Sequence, residues 1–203
     1  MQPTDVAGAF DDPAYFFEPW WPGTRTLAFI EGGRSRLQVE QLSDAAAAFP
    51  ELAAVGEGLY ADGVILDGTI LVLDDDGRPD AGLLRARLAG ESLAGRPAFV
   101  AADLLWLDGR PWTRRPYRTR RLALEELVTE ADRVIVGRGY EKDGTLVAEA
   151  LVSMGINAVS ARRLDARHRS GAAGDAWLRV SLEPAPVPSR PSLALILRLP
   201  LEA

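Results

Sequence analysis

The chain has 203 residues, 47% apolar and 26% charged, with no cysteine and a formal net charge of −6. That length suits one globular domain with a sizeable core, and the missing cysteines exclude disulfides, thiolate metal sites and a cysteine nucleophile. The acidic balance argues against a dedicated nucleic-acid binder, because phosphate contacts need a basic face.

No apolar run reaches 18 residues, so no transmembrane helix is expected. Residues Met1-Gln2-Pro3-Thr4-Asp5 lack the basic and apolar pattern of a signal peptide, so the expectation is a cytoplasmic protein with no membrane partner. Positive charge is almost wholly arginine, and Lys142 is the only lysine. Arginine stays protonated and cannot act as a nucleophile at neutral pH. Any lysyl intermediate must therefore form on Lys142.

Residues 1–14 read as an irregular lead-in. Thr26–Glu31, a Gly32-Gly33 turn and Ser35–Glu40 read as a β-hairpin. Ser43–Phe49 predicts a short helix capped by Ser43 or Asp44. Gly63–Leu73 is a long apolar strand interrupted by Asp67-Gly68. Asp74-Asp75-Asp76-Gly77 makes a turn, since its acids lack the alternate spacing of a calcium loop. Asp80–Leu88 reads as a helix, and Phe99–Leu107 as a strand ending in an Asp108-Gly109 turn.

Thr119–Thr129 predicts a helix with Leu124, Leu127 and Val128 on one face. Arg133–Val136 reads as a short strand. Asp143 can cap a helix from Gly144 to Met154, whose apolar positions are Leu146, Val147, Ala150, Leu151 and Met154. Asn157–Arg163 and Ala176–Leu182 read as strands. Glu183–Pro191 is a proline-rich linker, and Leu193–Leu199 a final apolar strand. Without strict βαβ alternation, the class is α+β with largely antiparallel sheets and flanking helices.

The segment Glu18-Pro19-Trp20-Trp21-Pro22-Gly23-Thr24-Arg25 resembles the Glu-Pro-Lys-x-Asp-Gly-x-Arg loop of ATP-dependent DNA ligases. Further pieces resemble the same family. They are Phe49-Pro50-Glu51-Leu52, Leu66-Asp67-Gly68, Asp103-Leu104-Leu105-Trp106-Leu107-Asp108-Gly109 and Ala176-Trp177-Leu178-Arg179-Val180. The resemblance runs from about residue 13 to residue 181. It is to the adenylation domain of bacterial ligases, particularly those found with end-joining repair enzymes. It implies two antiparallel sheets in an ATP-grasp-like nucleotidyltransferase fold over residues 1–182. Residues 183–203 would form a linker and strand, too short for the OB-fold domain of family ligases.

The same resemblance implies that catalytic residues are missing. Trp20 stands at the position of the lysine that takes AMP, and Pro22 at that of the aspartate. Val39-Glu40 replaces a Ser-Arg pair, and Thr69 a glutamate that helps hold the divalent metal. Ala102 replaces an adenine-stacking phenylalanine. Asn157-Ala158-Val159-Ser160-Ala161-Arg162 replaces Glu-Gly-x-Val-x-Lys, and Arg179 and Ser181 replace two lysines. Phosphoryl transfer depends on positioning and on charge stabilisation by lysine, arginine and Mg²⁺. These losses point to a degenerate, catalytically inactive domain with no catalytic or metal-ligating residue.

The nucleotide cleft implied by the resemblance would be rimmed by Glu18, Trp20, Arg25, Asp67, Asp103, Arg162 and Arg179. It would take ATP or another nucleotide without turnover, or a protein partner, with weak or absent nucleic-acid binding. Arginine at 162 and 179 keeps the charge that grips phosphate. Trp20 and Trp21 can form a stacking platform or fill a vestigial pocket. The run Arg114, Arg115, Arg118, Arg120 and Arg121 reads as a solvated helix entrance, with phosphate contact the alternative. Lys142 reads as a solvated lysine beside a helix cap, and His168 as a surface loop residue. Two rival functions remain: a working nucleotidyltransferase in DNA repair with an unusual nucleophile, and a protein-interaction module indifferent to nucleotide.

Overall fold

A computed structural model describes residues 1–40, 42–129, 133–183 and 193–196. The strands, in chain order, begin with β1 (Thr4–Ala7), β2 (Asp12–Pro19), β3 (Thr24–Glu31), β4 (Arg34–Val39) and β5 (Val64–Leu73). They continue with β6 (Arg96–Leu107), β7 (Arg110–Pro111), β8 (Val134–Val136), β9 (Tyr140–Lys142), β10 (Ala158–Arg163) and β11 (Trp177–Ser181). The helices are α1 (Ala45–Ala48), α2 (Ala81–Leu88), α3 (Tyr117–Leu127), α4 (Gly144–Ser153) and α5 (Leu193–Ile196). The class is α+β, as the sequence predicts. Among the described residues no helix is long and apolar enough to cross a membrane.

The chain forms two compact units. The first comprises residues 1–20, 114–118 and 137–203, and the second residues 21–113 and 119–136. The first unit holds a five-stranded sheet in the order β1-β11-β10-β2-β9. Its pairings are antiparallel except β1 with β11. Its core joins Tyr15 and Phe17 of β2, Val147, Ala148 and Leu151 of α4, Val159 and Ala161 of β10, and Val180 of β11.

Burying each such aliphatic side chain stabilises the fold by about 1.5–3 kcal/mol. Leu146, expected in this apolar set, is instead 45% exposed, and Ala148 takes the inward place. The Asp143 carboxylate makes no cap bond to α4. The backbone N–H of Thr145 donates to Asp11 instead, at 2.8 Å.

Two further expectations change. The lead-in is not irregular, for β1 pairs with β11 in parallel register from Thr4↔Leu178 to Ala7↔Ser181. Its side chains are mostly exposed, so no hydrophobic alternation marks it. The expected strand at Leu193–Leu199 starts as the helix α5, with Leu193 and Ile196 buried one helical turn apart. A short apolar run cannot separate helix from strand by periodicity. Residues 197–199, and the linker from 184 to 191, lie outside the described residues.

The second unit holds a six-stranded sheet ordered β4-β3-β5-β6-β7, with β8 parallel to β6. Tight turns join two of its neighbouring strand pairs, β3 with β4 and β6 with β7. Gly32-Gly33 and Asp108-Gly109 all have φ between 51° and 73°, and link strands paired at Glu31↔Arg34 and Leu107↔Arg110. Positive φ at both turn residues matches the twist of a two-residue hairpin. The buried core runs through Ala28, Ile30, Leu66, Ile70, Phe99 and Leu104, with Leu124, Leu127 and Val128 packed on it.

Both short helices α1 and α2 start on an aspartate cap. Asp44 accepts from the Ala47 N–H at 3.0 Å, and Asp80 from Gly82 and Leu83 at 2.7 and 3.0 Å. A 3₁₀ stretch over Pro50–Gly58, absent from the sequence reading, packs Leu52 and Val55 into the same core.

Candidate functional site

Four of the seven expected rim residues meet in the first unit. Strand β2 lies antiparallel to β10, with Glu18 opposite Ser160. Glu18 and Arg162 are both buried, and Arg162 Nε lies 3.4 Å from Glu18 Oε1. The Arg162 guanidinium packs over Trp177, 4.1 Å from the ring centroid, and lies 5.4 Å from that of Tyr117. Trp177 donates its indole N–H to Ser160 Oγ at 3.0 Å, and Ser160 donates to Glu18 at 3.4 Å.

Trp20 stacks on Trp177, with centroids 5.8 Å apart and planes at 30°. Arg179 covers Trp20 at 5.1 Å. The result is a column of Arg179, Trp20, Trp177, Arg162 and Tyr117. A cation over an indole contributes about 0.5–2 kcal/mol and an aromatic pair about 0.5–1.5 kcal/mol. For the buried Glu18–Arg162 pair, desolvation offsets much of the attraction. Its role is to hold the guanidinium flat against Trp177. Arg179 differs, being 44% exposed and 3.8 Å from the exposed Asp5. It is the rim cation most easily redirected.

The other three rim residues belong to the second unit. Arg25 forks onto Asp67, Nε to Oδ1 at 2.9 Å and Nη2 to Oδ2 at 2.6 Å. Asp103 is fully buried and takes a matching fork from Arg120, at 2.7 and 2.9 Å. Asp67 and Asp103 occupy opposed register positions on β5 and β6. Two carboxylates so placed repel, and each is compensated by its own guanidinium.

The register steps by one between Asp67 and Gly68, so β6 carries Ala102 as an extra, bulged residue. Gly68 is required there, because a Cβ would lie 2.3 Å from the carbonyl oxygen of Val100. Of the positions expected to have lost function, Val39 and Ala102 are buried, Thr69 is half-buried, and Glu40 and Ser181 are exposed. No group of three His, Cys, Asp or Glu among the described residues is arranged to hold a metal ion.

The basic run is solvated only in part: Arg114, Arg115 and Arg118 are exposed as expected. Arg120 and Arg121 are buried, the latter paired with Glu125 at 2.7 Å. Charge alone could not separate them from the exposed Arg118, which pairs with Glu141. Sequence reasoning also missed Tyr117, which no motif marks, and the role of Ser160, which a motif segment contains but gives no partner. Lys142 sits on β9 in register with Asp12, with its side chain 68% exposed and its amine 4.0 Å from Asp143. His168 is half-buried rather than on the surface.

The family model described as the ATP dependent DNA ligase domain matches residues 3–180. The chain belongs to that family. The non-homologous end joining DNA repair protein LigD of Mycobacterium tuberculosis is 34% identical over 163 residues. The alignment covers 80% of this chain but only 21% of that protein. A probable DNA ligase of Streptomyces avermitilis is 32% identical over 171 residues, covering 78% of this chain and 33% of the relative.

Among solved structures, mycobacterial DNA ligase D complexed with ATP and MES superposes with a TM-score of 0.71 at 27% identity. That likeness covers 88% of this chain and 60% of the other. The ligase domain of M. tuberculosis LigD gives 0.70 at 28% identity, over 87% and 58%. This ligase-family chain thus spans a fraction of the length of its relatives. Its two-sheet α+β architecture is that of the ligase adenylation domain.

Proposed function

We propose that this chain is a non-catalytic member of the ATP-dependent DNA ligase family, an adenylation fold kept for binding in DNA repair. The observation that carries this reading is the side-chain column. Where the family resemblance sets the lysine that attacks ATP, an indole is stacked on Trp177 and covered by Arg179. Indole carbon and N–H offer no lone pair to phosphorus. The sole lysine, Lys142, is a solvated strand residue. Arg162 is committed to Glu18 and Trp177, Arg25 to Asp67, and Arg120 to Asp103. Charges already paired inside the protein give little extra stabilisation to a transferring phosphoryl group.

Within the first unit, the column residues Glu18, Trp20, Arg162 and Arg179 form the surface we assign to binding. A relative was solved with ATP, which makes a nucleotide the first ligand to try and a protein partner the second. The test is incubation of the pure protein with labelled ATP and Mg²⁺ or Mn²⁺, with a thermal shift run in parallel. The expected result is no covalent adduct. A rise in melting temperature with ATP assigns the surface to nucleotide, and no rise moves the assignment to a partner protein. An adduct that disappears in Lys142→Ala would overturn the reading.

A further inference from the structure

Consecutive side chains of a strand point to opposite faces. Arg162 takes one face of β10 for the column, so Arg163 at the strand end takes the other. There it lines a cavity of about 480 Å³ in the first unit, together with Arg167, Arg169, Asp165 and Asp175. That volume falls within the range of about 300–1,000 Å³ usual for small-ligand sites.

The charges in this cavity are unevenly matched. Arg163 donates to Asp165 at 2.8 Å and also to Asp175. These hydrogen bonds, that of Asp165 first, raise the Arg163 pKa above its ordinary value. Both aspartates are therefore already engaged. Arg167 and Arg169, two residues apart, both line the cavity while His168 between them does not. Neither has an ion-pair partner among the described residues. The chain carries 29 acidic residues against 23 basic ones, so carboxylates to neutralise them are plentiful elsewhere. Two guanidiniums left facing one cavity repel each other until an anion joins them.

We propose that this cavity is a binding site for a phosphate dianion, free or at the end of a small phosphate monoester. Arg167 and Arg169 grip its oxygens, and Arg163, fixed by its two aspartates, forms the floor. Guanidinium forks match phosphate oxygens in geometry as well as in charge. The site is separate from the column around Trp20 and does not depend on the adenylation fold being inactive.

The test is calorimetric titration of the full chain with inorganic phosphate and with glycerol 3-phosphate, ionic strength being held constant with chloride. Saturable binding is expected with at least one probe. Arg167→Gln/Arg169→Gln should weaken it by roughly tenfold or more, the scale of losing one or two charge-assisted hydrogen bonds. Arg34→Gln/Arg36→Gln removes the same charge from exposed positions of the second unit, and should leave binding unchanged. In the unaltered protein, phosphate should protect Arg167 and Arg169 from phenylglyoxal, read by peptide mass spectrometry. The proposal fails if neither probe saturates, if binding and protection survive the double substitution, or if only a DNA duplex binds.

Discussion

Arg120→Met tests whether the buried pair in the second unit is held by mutual dependence. Methionine keeps the apolar stem and removes the fork. Asp103 is then left fully buried, without the two bonds at 2.7 and 2.9 Å. Breaking a buried pair from one side costs about 3–5 kcal/mol, because the remaining charge has lost its compensation. For a chain of this size that corresponds to a fall in melting temperature of roughly 6–20 °C.

The comparison is Arg118→Met, which breaks the pair with Glu141 whose side chains are about half exposed. That change should cost about 0.2–1 kcal/mol. Urea unfolding followed by tryptophan fluorescence measures both, since Trp106 and Trp112 lie in the same unit as Asp103, and Trp20 and Trp177 in that of Arg118. Replacing both members, Asp103→Leu with Arg120→Met, should cost less than the sum of the single changes. Equal losses for Arg120→Met and Arg118→Met, or strict additivity in the double variant, would refute the reasoning.

Glu51 sets a pH dependence. Burial is the largest single influence and opposes its ionisation, but the hydrogen bonds from Arg87, a backbone hydrogen bond and the charges of Arg87 and Arg133 together outweigh it and hold its pKa below the ordinary value of 4.5. A carboxylate depressed in the folded state stabilises the protein above its unfolded pKa, and that contribution is lost as pH falls through the lower, folded value. The stability gap between the native chain and Glu51→Gln should therefore shrink below about pH 4.5, as acid unfolding series would show; a constant gap counts against the pairing. Gly68→Ala should destabilise by about 1–3 kcal/mol or more, because the new methyl meets the Val100 carbonyl at 2.3 Å and the Phe99 ring at 2.7 Å. A loss below about 0.5 kcal/mol in denaturant titrations would mean that β5 and β6 part more freely than strand packing allows.

The elements visible in the sequence were those with strong local signals. The Gly32-Gly33 hairpin, the aspartate-capped helices and the long strand β5 each follow from turn chemistry, a cap or a continuous apolar run. Strand β1 had no such signal, being mostly exposed and stabilised by a partner about 170 residues away in register. The same physics limited the site. Glu18 and Arg162 each stood out by motif, yet nothing local states that β2 and β10 bring them together. Arg120 and Arg118 differ by two positions on one helix, and only the fold decides which is buried. Tyr117 and Ser160 acquire meaning from Arg162 and Trp177, so their importance is a property of packing alone.

The order of strands has a consequence for synthesis. In the second unit, the β3–β4 and β6–β7 hairpins are closed by two-residue turns and can form as they emerge from the ribosome. In the first unit, β2 must wait for β10, some 140 residues later, and β1 waits for β11. During that interval β2 presents unpaired backbone and the apolar side chains of Tyr15, Phe16 and Phe17. A nascent chain in that state is open to capture by a chaperone or by another nascent chain. Yield in the cell should thus respond to translation speed and chaperone supply more than equilibrium stability would suggest.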